Sequence, residues 1–476
     1  MARINTNVGA VVAQRHLGSA YRELNSTIQR LSSGLRITRG ADDPAGLIAS
    51  ERLRSEVQAV QQAISNTQRA STIIATTEGA LDEVASLLND VQQLIVEAAN
   101  EGALSEDEIE ANQLQLDSAI ASITRIANST TFAGRQLLNG SLDYITSGVD
   151  SSTVTGLLIH GAQFGTRSYI PVNIDVTTSA QPATLAFESG AVTSSVTIEI
   201  AGNVGVTTLQ FTSGTPASAV VAAINAVSDA TGIEAVLSTD PTSGFVLQSL
   251  SLGSKQFVSV QVLPGGGTFP TVDENGVSTP RDTGRDAVAL INGALSLGDG
   301  NHLTLKTSQL DIELDLDQDF GTGATAFAIT SGGALFQVGP EVNSNLQVNL
   351  GVRSVAASRL GTSEIGFLSQ IQSGEQFSLV AGEFQRAQEI VTEALRQVAV
   401  LRGRLGAFEK NTLDTNVNQL SITMENLMSA QSAIRDADFA YETSELSRNQ
   451  ILVSSGTQVL GLAQQTPQNV LSLLGG

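Results

Sequence analysis

Apolar residues recur at alternating steps of four and three positions near the start of the chain. They are Leu17, Tyr21, Leu24, Ile28, Leu31 and Leu35. A repeat of 3.5 residues is typical of the apolar face of a helix in a coiled coil. Since Ile4, Val8 and Val11 lead into this seam, the pattern predicts one helix over residues 4–35.

The segment SSGLRITRGADDPAG, residues 32–46, interrupts the seam. Gly34 and Gly40 weaken a helix, and Asp43 before Pro44 is typical of an N-cap followed by proline at the first helical position. No further proline occurs for more than fifty residues. We therefore predict a single second helix of about 55 residues, which is ~80 Å long at 1.5 Å per residue.

A third helix and then a β region are predicted after residue 100. The acidic segment GALSEDEIE, residues 102–110, is interpreted as a turn before that helix. From about Tyr144 to Gly333 apolar and polar residues alternate, and turn sequences rich in Gly, Thr and Pro separate the runs, which is typical of antiparallel strands. A short helix is predicted within residues 215–232. The segment GRDAVALINGAL, residues 284–295, indicates a second small α+β unit.

Helical spacing returns near the C-terminus. Apolar residues again step by three and four from about residue 370 to residue 428, and a last amphipathic stretch follows Asp436. We therefore predict a multidomain fold, in which a long α-helical, coiled-coil-like bundle is built from both termini and a mainly β (α+β) insert lies in the middle. The N-terminal helix is expected to find its packing partners at the far end of the chain.

Composition and charge restrict the function. The chain has 476 residues, a net charge of −22, 4% aromatic residues and no Trp or Cys. We expect no binding to nucleic acid or to anionic membrane surfaces from such an acidic chain. Residues 1–39 are an exception, because six Arg against one acidic residue, Glu23, give them a charge of +5. The sequence contains no run of 18 apolar residues, so it predicts no membrane span. No apolar segment near the N-terminus resembles a signal peptide.

The sequence predicts no catalytic, metal or cofactor-binding site. The chain has three histidines, far apart in sequence: His16, His160 and His302. No zinc motif, Gly-rich nucleotide motif or Gly-x-Ser-x-Gly is present. The densest acidic segment is DIELDLDQD, residues 311–319. Its alternation predicts a strand with one acidic, solvated face, and Phe320 stands where an EF-hand loop starting at Asp315 needs Gly.

Several segments at the two ends carry more specific motifs. SSGLRITRGADDPAGLIASERLRSE begins at Ser32, STTFAGRQLLNG spans residues 129–140, MARINTN stands at the start, and a long run begins at Met424. Together they resemble bacterial flagellin, over about residues 1–145 and 335–476. Between them, residues 208–237 are similar to a strand–helix–strand motif of some flagellar filament and hook proteins.

The resemblance implies a structural subunit, not an enzyme, that polymerises into the extracellular filament of the bacterial flagellum for motility. It implies an inner core domain from the terminal helices (residues 1–42 and 433–476), a rod domain (43–145 and 335–432) and a variable β-rich outer insert (146–334). The implied partners are further copies of the chain, the flagellar type III export apparatus and its chaperone, the filament cap, the hook–filament junction proteins and other flagellins.

The resemblance and the terminal seams together indicate site residues. The expected assembly interface comprises Leu17, Tyr21, Leu24, Ile28, Leu31, Leu35, Phe439, Leu446, Ile451 and Leu460. The expected joint between core and rod comprises Gly34, Arg36, Gly40, Asp42, Asp43 and Pro44.

Some flagellins activate a Toll-like receptor through the first rod helix. The matching residues here are Leu88, Asp90, Leu94 and Gln115. Asp90 stands where receptor-active members have Arg, and Gln115 where they have Glu. Because a reversed charge weakens a polar contact, we expect weak recognition.

Two alternatives share parts of this interpretation. A hook–filament junction protein has the same terminal helices but occurs in few copies. A flagellin-like carrier would hold a ligand-binding insert, although residues 145–333 contain no catalytic cluster. The close match at both ends favours the filament subunit.

Overall fold

The computed structural model describes residues 6–100, 102–165, 167–238, 244–265, 267–307, 309–363 and 365–474, with side chains in the last helix described as far as residue 465. The chain forms two compact units. The first is Met1–Arg69, Val338–Val342 and Asn411–Gly476, and the second is Ala70–Gln337 and Asn343–Lys410.

The helices and strands are as follows. The α-helices are α1 (Val8–Ser33), α2 (Pro44–Ala98), α3 (Glu106–Ser129), α4 (Ala217–Asn225), α5 (Ser228–Thr231), α6 (Phe384–Phe408), α7 (Thr415–Arg435) and α8 (Phe439–Leu474). The strands are β1 (Thr131–Phe132), β2 (Arg135–Gln136), β3 (Tyr144–Ser147), β4 (Val154–Ala162), β5 (Ile170–Thr178), β6 (Thr184–Phe187), β7 (Val196–Ala201), β8 (Val206–Phe211), β9 (Ile233–Leu237), β10 (Phe245–Ser249), β11 (Phe257–Val262), β12 (Arg281–Thr283), β13 (Val288–Ile291), β14 (Ala294–Asp299), β15 (His302–Lys306), β16 (Leu310–Leu316), β17 (Gly323–Gly332), β18 (Ala334–Gln337), β19 (Gln347–Leu350), β20 (Gly361–Thr362) and β21 (Gly366–Phe367).

The ends of α1 and α2 lie close to their predicted positions. Gly34 ends α1 in the left-handed conformation, with φ 73°. The Asp43 carboxylate accepts a hydrogen bond of 2.9 Å from the Gly46 N–H, and α2 begins at Pro44. The structure confirms the N-cap and the single helix of 55 residues. Residues 4 and 5 lie outside the described residues, and the helix begins at Val8.

The core of the first unit lies between α2 and α7. Val60, Ala63 and Ile64 are buried against Leu420. Their spacing of three and one residues places them on one face of α2. The rest of α2, from Ala70 onward, belongs to the second unit.

The acidic segment before α3 is a turn only in its first half, so the predicted turn over residues 102–110 is partly wrong. Residues 106–110 form the first helical turn, and Ser105 and Glu108 form a capping box. The Glu108 carboxylate accepts a bond of 2.7 Å from the Ser105 N–H. Acidic side chains stabilise a helix N-terminus because the free N–H groups there carry partial positive charge.

An eight-stranded antiparallel sheet forms the largest part of the insert. Its strand order is β3-β17-β5-β13-β14-β15-β16-β4. Alternate residues of β5 are buried, as a period of two requires. The edge strands approach each other, because the Ala162 N–H of β4 donates a bond of 2.9 Å to the Tyr144 hydroxyl of β3. Burial raises the pKa of that hydroxyl to about 12.

Two smaller sheets share a second core. Their orders are β6-β10-β9 and β12-β11-β7-β8. Phe187 stacks on Phe269 with ring centroids 4.3 Å apart, and Val220 and Ile224 of α4 are buried beside them. The predicted helix within residues 215–232 is therefore present as α4 and the short α5.

The segment GRDAVALINGAL is a β-hairpin, so the predicted second α+β unit is wrong. Asn292 and Gly293 connect β13 to β14 with φ of 51° and 81°. Asn-Gly with positive φ at both positions is the preferred two-residue hairpin turn. The turn chemistry therefore prevails over the helical spacing of the apolar residues.

The C-terminal helices begin later than their spacing predicted. Residues 370–383 form short turns, in which Gly374 and Gly382 adopt positive φ, and α6 begins at Phe384. A π-helical segment, Glu409–Asp414, connects α6 to α7. Within the described residues, no helix combines the length and apolarity of a membrane span.

Candidate assembly surface

The helices α1 and α8 of the first unit pack side by side in opposite directions. The Asn7 side chain donates a hydrogen bond of 2.6 Å to the Ala463 carbonyl. The Asn449 side chain donates one of 3.3 Å to the Thr27 hydroxyl. Since residue numbers rise along α1 as they fall along α8, the two helices are antiparallel.

Small and polar residues fill the closest contacts of this helix pair. On α8 they recur every seven residues, at Glu442, Asn449, Gly456 and Ala463. On α1 the buried residues are Ala20 and Thr27. A Cβ added to Gly456 would lie 3.1 Å from Leu17 Cδ1. The distance between packed helices follows the size of the side chains at the contact, so these residues allow a close approach.

A salt bridge crosses the buried side of the pair. Arg30 Nη1 lies 3.3 Å from Glu442 Oε1, and the Glu442 side chain is 4% exposed. A buried carboxylate is costly unless it is paired. The bridge and the Asn449–Thr27 bond therefore favour one register of α8 along α1.

The structure divides the predicted assembly residues into two groups. The half-buried group contributes to the α1–α8 pair or to its end: Leu17, Leu24, Leu31, Leu35, Leu446 and Leu460. The exposed group is Tyr21, Ile28, Phe439 and Ile451, with between 46% and 70% of each residue exposed. The sequence seam therefore combines residues from two different faces of each helix.

The exposed apolar face extends beyond the predicted residues. Further exposed apolar side chains on the two helices are Val8, Val11, Val12, Tyr441, Leu452, Val459 and Leu462. Apolar surface of this extent is typical of an interaction site. We refer to these seven residues, with Tyr21, Ile28, Phe439 and Ile451, as the outer apolar face; they are distributed around the sides of α1 and α8 outside the line of small and polar contact residues.

Sequence reasoning did not identify Ala20, Thr27, Glu442 and Asn449 as interface residues. It searched for large apolar residues, whereas these four are small or polar. The signal that could have identified them is the recurrence of small and polar residues at seven-residue intervals on both helices.

The loop between α1 and α2 contains the predicted joint residues. The Arg36 N–H donates a bond of 2.7 Å to the Arg435 carbonyl, and its guanidinium donates one of 2.7 Å to the Ile434 carbonyl. Gly34, Asp43 and Pro44 form the helix ends described above, and Gly40 lies in the turn between them.

Asp42 organises the tip of the same loop. Its carboxylate accepts bonds of 2.9 to 3.0 Å from the Arg39 N–H, the Thr38 hydroxyl and the Thr38 N–H. These bonds, the Arg39 N–H first, hold the pKa of Asp42 below its ordinary value. The loop is therefore a hydrogen-bonded connection rather than a free linker.

The segment predicted to contact the receptor is only partly on the surface. Asp90 and Gln115 are exposed and Leu94 is half-buried, whereas Leu88 is fully buried in the second unit. Leu88 therefore acts here through the packing of α2, and the two substituted polar positions are accessible.

The acidic strand β16 is confirmed, but its acidic face is not simply solvated. Glu313 Oε1 lies 2.9 Å from His160 Nε2, and Asp315 Oδ1 lies 2.6 Å from His302 Nδ1. The hydrogen bond to Asp315 raises the pKa of His302. Among the described residues, no group of three or more His, Cys, Asp and Glu side chains could hold a metal ion.

Comparison with known families matches both ends and the middle of the chain. Residues 4–143 match the bacterial flagellin N-terminal helical region, and residues 388–474 match the bacterial flagellin C-terminal helical region. Residues 195–251 match the flagellin hook IN motif.

Similar proteins span nearly the whole chain. Flagellin A of Helicobacter pylori is 26% identical and flagellin of Salmonella rubislaw 29% identical, each over 99% of this chain and 99% of its own length. Among solved structures, flagellar hook associated protein-3 of Legionella pneumophila has a TM-score of 0.31 and 11% identity, covering 81% of this chain and 98% of its own.

Proposed function

Because this chain belongs to the bacterial flagellin family, we infer that it is the structural subunit that polymerises into the extracellular flagellar filament. Its place is the bacterial flagellum, and its role is motility. A junction protein or a carrier with a ligand-binding insert is not favoured.

We propose that the outer apolar face forms the contacts between subunits. The observation that supports this proposal is that the residues in contact between α1 and α8 differ from the large apolar residues that are exposed on the same helices. Small and polar residues make the closest contacts of the two helices, with half-buried leucines beside them, while large apolar side chains such as Phe439 and Ile451 stay exposed. Burial of these side chains against further copies would stabilise the polymer. Subunits added head to tail by a rotation that does not close produce a helical filament.

We further propose that the terminal helices are disordered in the free subunit and become ordered on polymerisation. The leucines between the two helices are only half-buried and further apolar side chains are exposed, so much of the stabilisation of the pair would come from neighbouring subunits. Limited proteolysis of the monomer is the test, since protease-resistant termini would contradict this disorder.

We also propose domain boundaries at residues 42, 145, 334 and 432.

The remaining partners are also proposed. They are the type III export apparatus with its chaperone, the cap and junction proteins at the filament ends, and other flagellins. We propose that the subunit has no enzymatic role. We also propose that its recognition by the Toll-like receptor is weak, because Asp90 and Gln115 are exposed in place of Arg and Glu.

Electron microscopy of filaments assembled from the purified chain tests the proposal that the chain is the filament subunit.

A further inference from the structure

The second unit contains a cleft of about 750 Å³. Strands β4 and β16 line one side, helix α6 lines another, and the loop that contains Arg353 and Arg359 closes a third. We call it the Arg353 cleft and define it by six lining residues: His160, Asn301, Glu313, Arg353, Arg359 and Arg396.

Several charged groups along the cleft already have partners. Glu393 binds Arg396 through two hydrogen bonds of 2.7 Å and accepts a third, of 2.9 Å, from the Gln397 side chain. Asp315 pairs with His302, as described above. Arg396 and His302 are therefore the hydrogen-bonded partners of these carboxylates, although Glu393 also acts electrostatically on Arg353.

Two arginines are left without such a partner. Neither Arg353 nor Arg359 makes a side-chain hydrogen bond or an ion pair within the part of the chain that the structure describes. Arg353 is half-buried and Arg359 exposed. Burial, and then the like charge of Arg359, lower the pKa of Arg353. The carboxyl groups of Asp143, Glu393 and Glu313 act on it in the opposite direction. Burial raises the pKa of Asp143 itself and so disfavours its charge.

Two buried donors line the same cleft. The His160 side chain is 4% exposed. Its Nε2 lies 2.9 Å from Glu313 Oε1 but makes no hydrogen bond within the described residues. Asn301 Nδ2 is buried and also has no hydrogen-bond partner. With His160 in the Nε2–H form, its Nε2, the Asn301 Nδ2 and the two guanidinium groups are all N–H donors.

A buried donor without an acceptor is costly, and two of them beside two guanidinium groups without hydrogen bonds indicate a ligand that carries acceptors. Arginine presents its N–H groups in a fork that fits two oxygens of one phosphate, sulfate or carboxylate. We propose that the Arg353 cleft binds a small oxyanion of the phosphate or sulfate class, with Arg353 and Arg359 as its main ligands.

Isothermal titration of the full-length monomer with inorganic phosphate tests this proposal. We expect saturable binding at one site, competed by sulfate. Arg353→Gln is expected to weaken binding about ten- to a hundredfold, because one charged donor group is lost. Arg359→Gln, at an exposed position that is not expected to alter folding, is expected to weaken it by about tenfold. Asn301→Ala is expected to weaken it by a smaller factor.

The matched control is Arg135→Gln, an exposed arginine of β2 outside the cleft. It is expected to bind phosphate as the wild type does. Absence of saturable binding by the wild type would overturn the proposal. So would unchanged binding by Arg359→Gln, or an equal loss in Arg135→Gln, which would show an adventitious effect of surface charge.

Discussion

The carboxylate of Glu442 on α8 and the guanidinium of Arg30 on α1 lie 3.3 Å apart, although 412 residues separate them in the chain. Glu442 is almost fully buried, whereas the Arg30 side chain is 32% exposed. The bridge therefore combines a desolvated anion with a partly solvated cation. If the salt bridge is broken, the free-energy cost comes from the buried Glu442 carboxylate and not from the partly solvated Arg30 guanidinium.

Arg30→Gln is expected to destabilise the α1–α8 pair by about 2 kcal/mol, because Glu442 then lies buried without a charge partner. Light scattering of filaments assembled from the variant should then show a lower dissociation temperature than that of wild-type filaments. Arg22→Gln, at an exposed position of the same helix, is the control and should dissociate with the wild type. Equal dissociation temperatures for Arg30→Gln and wild type would contradict the expectation.

Gly456→Val is expected to separate the helix pair. Its Cβ would already lie 3.1 Å from Leu17, and the two methyl groups of Val need further space, at a cost of about 1–3 kcal/mol. Gly461→Val is the matched control, because nothing lies within 4 Å of a Cβ at that position. Filament dissociation temperatures compare the two variants. An equal decrease in both would show that the contact with Leu17 is not the cause.

Ile28→Asp tests the outer apolar face. The side chain is exposed on α1, so the substitution leaves the α1–α8 contact intact and places a charge where a neighbouring subunit would pack. We expect a soluble chain that does not polymerise, assayed by sedimentation and electron microscopy. Asn25→Asp introduces the same charge at an exposed polar position and should still polymerise. Normal filaments from Ile28→Asp would exclude this face as an interface.

His302 predicts a pH dependence of stability in the second unit. Its bond to Asp315 raises its folded pKa above the unfolded value, so the stabilisation is fully present below that unfolded value, about 6.5, and is lost as the pH rises through the folded pKa. Glu313 acts in the same direction and Arg396 against it. The thermal midpoint of the monomer should therefore fall more for wild type than for Asp315→Asn between about pH 6 and about pH 9.

His16→Gln is the control for that experiment, because His16 is exposed on α1. It should keep the wild-type pH profile. If Asp315→Asn also keeps the wild-type pH profile, the His302–Asp315 pair does not contribute to the pH dependence of stability.

Asp90→Arg is expected to increase activation of the Toll-like receptor. The position is exposed on α2. The substitution introduces the charge that the resemblance implies for receptor-active flagellins. A reporter-cell assay with purified monomer is the measurement. Glu83→Arg, an exposed position on the same helix, makes the same charge change outside the segment and should leave the signal unchanged. No gain for Asp90→Arg would mean that the charge is not the limiting feature.

Local signals in the sequence were sufficient for much of the fold. Asp43 and Pro44 fixed the start of α2, and the alternation at residues 311–317 predicted β16, because capping and alternation act over a few neighbouring residues. In two segments a helix signal and a turn signal were both present, and the prediction followed the weaker of the two. Asn292-Gly293 favours a hairpin, and the acidic residues after Ser105 favour a helix start.

By itself, the sequence determined that both termini form amphipathic helices, that a β insert separates them, and that they resemble flagellin. Only the tertiary structure decided which side of each helix faces the other. The apolar seam identified the stripe, but close packing needs small partners such as Ala20 and Gly456, which no search for large apolar residues detects. Likewise, the arrangement of Arg353, Asn301 and His160 around one cleft depends on contacts between distant segments, which neither local propensity nor periodicity can specify.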